Sequence, residues 1–261
     1  MNENALLSGA CAPCALRPEL WLNATVMPAL TLAGRRGPKH HTRPPEPRQR
    51  LYSKQCTGNV RCVFLTKNTR SLIPMLIDRL GYTGDSVEVG VWQGGFSLEI
   101  MRRWAKGRRH FMVDPWISGS GDQQAGCRSG QWRGDKHCTH NQPYFDKIAQ
   151  TVAQTVMSKD YVKERAVILR NFSLTAAASI PNSTLQLAYI DARHDRAGVT
   201  EDLRAWWPKV CPGGFMAGHD FERSVAVAVG SFLQTMPHNL TLIVTSEHPA
   251  SWFVAKPPSR C

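Results

Sequence analysis

The residues able to do chemistry in this chain sit where short apolar runs stop. They are the turn from Glu88 to Gly95, then Asp114, Asn171, Asp191 and Asp220. In Glu88-Val-Gly-Val-Trp-Gln-Gly-Gly95, Gly90 permits a tight bend, and Gly94 and Gly95 let a ligand approach the main chain. A helix starting after this turn offers free N–H groups. Asp114 stands 24 residues beyond Gly90, where a carboxylate can accept hydrogen bonds from a ribose diol. Together these features describe a site for an adenosine-type ligand. A dinucleotide would ask for glycine where Trp92 stands. Glu88 is wrong for phosphate and suits a cationic or hydroxyl-bearing group.

These positions need a scaffold, and hydrophobic periodicity supplies one. Ser71 is placed to N-cap a helix with Leu72, Ile73, Leu76, Ile77 and Leu80 at helical spacing. Strands are expected at 86–91, 110–113, 166–169, 185–190, 215–217, 240–244 and 252–255. Helices are expected between them, from Phe96 to about Trp104, around Phe145 to Val156, around Val199 to Val210, and over 224–234. Pro212-Gly213-Gly214 is read as the stop of the third of these. Alternation of strand and helix means a parallel sheet with helices on both faces. The last two strands have only the short link 246–251 between them, so the final strand runs antiparallel. The fold class is therefore α/β, a doubly wound and mostly parallel seven-stranded sheet with an antiparallel C-terminal hairpin.

In such a sheet ligands bind at the carboxyl ends of the strands. S-adenosylmethionine combines a ribose with a sulfonium and an ammonium group, which matches Asp114 and Glu88. The chain from about 71 to 257 resembles a class I S-adenosylmethionine-dependent methyltransferase with a Rossmann-like fold, closest to methyltransferase family 24. The resemblance rests on Val87-Glu-Val-Gly-Val-Trp-Gln-Gly-Gly95, Val113-Asp-Pro-Trp116 and Tyr189-Ile-Asp-Ala-Arg-His-Asp195. It rests also on Asp202-Leu-Arg-Ala-Trp-Trp-Pro208 and Pro212-Gly-Gly-Phe-Met-Ala-Gly-His-Asp220. It implies that Glu88, Gly90, Trp92, Gly94 and Gly95 hold the methionine part of the cofactor and that Asp114 binds the ribose. Asn171 and Phe172 would lie beside adenine, and Asp191 near the reacting methyl. Related metal-dependent O-methyltransferases place carboxylates at two strand ends that correspond here to Asp191 and Asp220, with His219 adjacent. Hard oxygen ligands there suit Mg²⁺. His194, three residues past Asp191, is the candidate general base, because an imidazole can be neutral near pH 7. The plainer alternative is that these side chains only order their loops. Ala192 and Arg193 depart from the family's small or acidic residues, so the pocket beside Asp191 is expected to differ.

Outside that region the chain is basic. It has 261 residues, 42% hydrophobic and 20% charged, which is ordinary globular material. Of the net charge of +12, +8 falls in residues 1–80. Arg35, Arg36, Lys39, Arg43, Arg48 and Arg50 are interleaved with prolines, so residues 1–50 are expected to be unstructured, followed by a methyltransferase domain over 51–261. Residues 117–142 read as an insertion. No aromatic interleaving supports base stacking, which argues against nucleic acid. The expected acceptor is a small molecule or sugar oxygen. The alternatives are a nucleic-acid or protein acceptor recruited by the basic arm, and a non-catalytic binding module. Neither a transmembrane stretch nor a secretory signal is evident. Eight cysteines include Cys11 and Cys14 in a CxxC, and two close pairs, Cys56/Cys62 and Cys127/Cys138. The pairs suit disulfides in an oxidising compartment, while Cys127, His137, Cys138 and His140 could instead hold zinc. Four of nine asparagines, Asn23, Asn171, Asn182 and Asn239, lie in N-x-S/T sequons. Chance would give about one, which keeps both a cytoplasmic and a secretory location open.

Overall fold

The computed structural model describes residues 53–119 and 136–258, together with Cys127. Apolar runs become strands and amphipathic stretches become the helices that cover them. In chain order these are β1 (Val60–Phe64), α1 (Leu72–Arg79), β2 (Gly84–Val89), α2 (Gly95–Arg103) and β3 (Gly107–Val113). Then come α3 (Gln142–Met157), α4 (Asp160–Lys163), β4 (Ala166–Leu169), α5 (Ser173–Ser179), β5 (Leu185–Ile190) and α6 (Arg196–Trp206). The chain goes on through β6 (Val210–Gly218), α7 (Arg223–Gln234), β7 (Leu240–Val244) and β8 (Trp252–Ala255). One helical turn, Lys136–Thr139, precedes α3.

The strands form one sheet in the order β1-β7-β8-β6-β5-β2-β3-β4. All neighbours are parallel except β8, which runs antiparallel to both β6 and β7. The order of strands reverses between β2 and β5, which places a crevice there. Every residue of β5 is buried, as befits a central parallel strand covered on both faces. On one face Ile73, Leu76 and Ile77 of α1 pack with Phe96, Ile100 and Trp104. On the other, Val199, Leu203 and Trp206 of α6 pack with Val225, Val229 and Phe232 of α7. Apolar burial on two faces is the main stabilising term, at about 25 cal/mol per Å².

The expected fold class holds, with one more strand than the seven anticipated. The extra strand, β1, is a short edge strand whose Arg61 is exposed and whose partner β7 is distant in sequence, so local pattern gave it no signal. Ser71 does not cap α1 with its side chain; its hydroxyl donates to Glu99 Oε1 at 2.6 Å instead. Pro212-Gly213-Gly214 does not stop α6, which ends at Trp206. That segment lies within β6, where the register against β5 slips between Leu185/Val210 and Leu187/Phe215.

Both anticipated disulfides are present, Cys56–Cys62 and Cys127–Cys138, and Cys211 is disulfide-bonded as well. The zinc reading is thereby overturned, since Cys127 and Cys138 have no thiolate to offer. Residues 1–50, with Cys11, Cys14 and Asn23, lie outside the described residues, as does most of the 117–142 insertion. No described helix is long and apolar enough to cross a membrane.

Candidate active site

The parallel ladder runs one step beyond the strands and lines up their ends. Gly90 N–H donates to Val113 O at 2.8 Å, and Asp114 N–H to Leu169 O at 3.2 Å. Asp191 N–H donates to Val89 O at 2.7 Å, and His219 N–H to Ile190 O at 3.1 Å. The first residues past β3, β2, β5 and β6 therefore stand in a row along one rim. At its centre Gly90 has φ +92°, and a Cβ there would lie 2.1 Å from Asp191 O. Only glycine lets the β2 turn and the β5 turn meet this closely.

Asp114 clips the two walls of the crevice together. Its Oδ2 accepts from Trp92 N at 2.9 Å and its Oδ1 from Trp116 N at 2.8 Å. Trp116 Nε1 returns a hydrogen bond to Trp92 O at 2.8 Å. A carboxylate at this strand end has the chemistry to accept from a diol as well as from the main chain. The Trp92 ring packs on Tyr144 and Phe145 of α3, so its bulk lines a wall. Gly94 caps α2 in the left-handed region, and a Cβ on Gly95 would meet nothing within 4 Å. That open space lies over the helix N-terminus, where a ligand can approach.

Beneath this turn Glu88 is buried, and burial pushes its carboxyl up to about 8, against the hydrogen bond from Ser97. A buried acid with this bias regains its charge when a cation is brought against it. Ser97 Oγ lies 3.0 Å from His110 Nε2, and His110 Nδ1 lies 2.8 Å from Ser86 Oγ. Burial holds His110 down to about 3, so the ring is neutral. With Ser97 donating to Glu88, the neutral ring donates from Nε2 and accepts from Ser86 at Nδ1.

Past the ends of β5 and β6 is a cluster of acids and imidazoles. His194 Nε2 lies 2.9 Å from Asp220 Oδ2 and 3.7 Å from Asp191 Oδ1. His219 Nδ1 lies 3.3 Å from Asp220 Oδ2 and 3.8 Å from Asp191 Oδ1. One ligand atom from each of Asp191, His219 and Asp220 falls within 4.8 Å of the others, a grouping that could hold a metal ion. Burial raises Asp191, with His194 pulling the other way. Burial also opposes the charge on Asp220, but hydrogen bonds from His194 and His219 outweigh it and hold that carboxyl well below the usual range. The Asp191 and Asp220 carboxylates beside its ring push His194 up to about 10, which keeps it protonated at neutral pH. It is therefore a donor in this arrangement, and serves as a base only when its carboxylate partners are otherwise engaged.

The structure brings Glu88, Gly90, Trp92, Gly94, Gly95, Asp114, Asp191, His194, His219 and Asp220 to this rim. Asn171 and Phe172 reach the same rim past β4. Asn171 Oδ1 accepts from Phe172 N, and Phe172 is exposed. Reading the sequence missed Arg70. Its Nη1 lies 3.7 Å from Asp191 Oδ2, and its guanidinium stacks 4.5 Å above the Phe96 ring. The loop that carries it is tied to the β7–β8 link by Arg70 N–H donating to Glu247 Oε1 and by Asn68 N–H donating to Ser246 Oγ. No sequence motif marks it. Ser97 and His110 were also missed, though His110, a polar residue within a buried strand, was a usable signal.

A family model described as a methyltransferase domain matches residues 87–221, just over half of the chain. No curated protein matches the sequence. Among solved structures, the O-methyltransferase NovP is similar at a TM-score of 0.52 and 18% identity, over 72% of this chain and 77% of that one. Precorrin-6y C5,15-methyltransferase from Geobacter metallireducens is similar at 0.47 and 12% identity, over 71% of this chain and 87% of that one. At 18% identity the likeness to NovP speaks for the fold alone. The matched residues take in Glu88, Asp114, Asp191 and Asp220 alike, and the chain belongs to the methyltransferase-domain family as a class I S-adenosylmethionine-dependent methyltransferase.

Proposed function

We propose that the protein methylates an oxygen of a small molecule or sugar, with the acceptor seated over Asp191, His194, His219 and Asp220. The observation that carries this reading is the convergence of those four side chains on the rim, next to the place where the β5 turn meets Gly90 of the β2 turn. A cofactor held by the β2 turn and Asp114 brings its sulfonium methyl to that side. The acceptor oxygen forms a bond to the methyl carbon as the carbon–sulfur bond breaks, and S-adenosylhomocysteine leaves. Alignment supplies most of the acceleration, because charge disperses in the transition state.

The proton of the acceptor hydroxyl has a destination in the cluster. Without a cation on it, Asp191, raised by burial, is a stronger base than an exposed carboxylate and is our choice of proton acceptor. His194 then serves as the donor that orients the attacking oxygen and Asp220. Asp191, His219 and Asp220 would hold a divalent cation, whose contribution is to lower the pKa of the acceptor hydroxyl. Two carboxylates suit Mg²⁺, and the His219 imidazole favours a cation such as Mn²⁺. Asn171 and Phe172 would flank adenine, with the exposed Phe172 ring as the stacking surface.

The test is transfer of a labelled methyl group to a panel of hydroxylated small molecules and sugars, with and without chelator, alongside RNA and protein acceptors. Label on oxygen in the small-molecule panel supports the proposal. Label confined to RNA or protein would replace it with recruitment by the basic arm. Unchanged transfer after chelation would remove the cation.

A further inference from the structure

We infer that this enzyme matures in an oxidising, secretory compartment and carries N-linked glycans at Asn182 and Asn239. The inference stands apart from the choice of methyl acceptor. Two independent observations lead to it. First, all five cysteines among the described residues, Cys56, Cys62, Cys127, Cys138 and Cys211, are disulfide-bonded. Reducing compartments keep such thiols free, whereas oxidising ones preserve the bonds. Second, the sequons exceed chance, and all three within the described residues place their asparagine on the surface.

Position separates these three. Asn182 lies in the turn between α5 and β5, and Asn239 in the turn between α7 and β7. Both turns lead into the amino ends of strands, the opposite edge of the sheet from the row of Gly90, Asp114, Asp191 and His219. A glycan at either position projects away from the catalytic rim. Neither asparagine side chain is engaged by another described residue. The Asn239 turn is held by a different side chain, since Asn59 Nδ2 donates to Met236 O at 2.7 Å and to His238 O at 2.8 Å. The fold thus tolerates substitution at both amides without losing a contact.

Asn171 is the contrasting case. It sits on the cofactor rim, and its Oδ1 accepts from Phe172 N at 2.9 Å. The hydroxyl of its sequon partner Ser173 donates to Asp202 and accepts from Trp206 Nε1 at 2.9 Å. A glycan there would stand at the mouth of the cofactor pocket, so Asn171 is left out of the assignment.

In the modification the Asn amide nitrogen bonds to the anomeric carbon of a lipid-pyrophosphate-linked oligosaccharide. The bond from that carbon to the pyrophosphate oxygen breaks, the lipid pyrophosphate leaves, and the amide gives up one proton. Acceptor sequons of this type belong to surface loops of secreted proteins.

The test uses the full-length protein purified from the cells that make it, together with Asn182→Gln and Asn239→Gln versions expressed in the same cells. Glycan-releasing amidase in heavy-oxygen water converts each occupied Asn to a labelled Asp, which peptide mass spectrometry reads. Labelled peptides at both Asn182 and Asn239, and loss of one electrophoretic increment in each variant, are the expected result. An unlabelled peptide at either position overturns the assignment, as does label found only at Asn171. Reaction of Cys56 or Cys127 with a maleimide before any reduction overturns the compartment. Methyl-transfer activity enters none of these readouts, so failure here is distinguishable from failure of the proposed reaction.

Discussion

Substituting Gly90→Ala places a methyl carbon 2.1 Å from Asp191 O, 2.5 Å from Asp191 C and 2.7 Å from Ala192 Cα. All three are main-chain atoms, so no side chain can swing aside. An ordinary carbon–oxygen contact is about 3.3 Å, so the β2 and β5 turns must part by roughly 1 Å. Overpacking of this kind costs about 1–3 kcal/mol, and a left-handed backbone at a residue with a Cβ adds about 1–2 kcal/mol. The sum of about 2–5 kcal/mol is within the usual stability of a domain, so the variant should fold. Gly58→Ala is the control, since Gly58 has φ +63° and nothing within 4 Å of a built Cβ. It should lose only the backbone part. Urea unfolding reads the stability of both, and calorimetry with S-adenosylhomocysteine reads the site. Gly90→Ala should weaken binding by about 5- to 150-fold, the equivalent of an overpacking cost of about 1–3 kcal/mol felt in the site, while Gly58→Ala leaves it unchanged. Wild-type affinity in a folded Gly90→Ala protein would refute the claim that this close approach builds the cofactor site.

Three further expectations follow from the same rim. Asp114→Asn has one carbonyl oxygen for two main-chain donors, so one of Trp92 N–H and Trp116 N–H loses its acceptor. Calorimetry should show a loss of about 1–3 kcal/mol in S-adenosylhomocysteine binding, or about 5- to 150-fold in Kd. Asp191→Asn should lower turnover by about 10²–10⁴-fold with cofactor affinity largely kept, and should abolish any stimulation by Mg²⁺ or Mn²⁺ in a steady-state assay. The pair Glu88 and His110 shapes stability against pH. His110 is depressed to about 3, so its contribution is complete above about 6.5 and is lost as pH falls from there towards 3. Glu88 is raised to about 8, so its contribution is complete below about 4.5 and is lost as pH rises from there to 8. The two slopes, each up to about 1.4 kcal/mol per pH unit, oppose one another between about 4.5 and 6.5. His110→Phe removes the acid limb, so its stability relative to wild type, read by urea unfolding, should improve as pH falls below 6.5. An unchanged difference from pH 7 to 4 would contradict the network.

Much of the rim was legible because a parallel strand buried on both faces reads as an apolar run, and the first polar residue after it marks the strand's end. Asp114 and Asp191 were found in that way, Asp220 lies one residue further on, and Glu88, inside β2, was picked out by the glycine turn that follows it. The rest depended on long-range pairing. Arg70 reaches Asp191 because the segment after β1 pairs beside β7 and is fastened to Ser246 and Glu247, partners that local periodicity does not reveal. The protonation of His194 was equally invisible, since it arises from two carboxylates converging from different strands. His110 has the look of an ordinary strand residue until Ser97 of α2 is laid across it.

The place of β8 in the sheet has a consequence for biosynthesis. This strand follows all the others in the chain, yet it is wedged between β6 and β7. Until it has been made, β1 and β7 form a two-stranded ribbon with no pairing to β6 and the other strands, and two unpaired edges face each other. Such edges recruit neighbouring molecules. A ribosome that stops between Val244 and Trp252 would therefore release an aggregation-prone torso whose catalytic residues have all been synthesised, and quality-control machinery would see a split sheet.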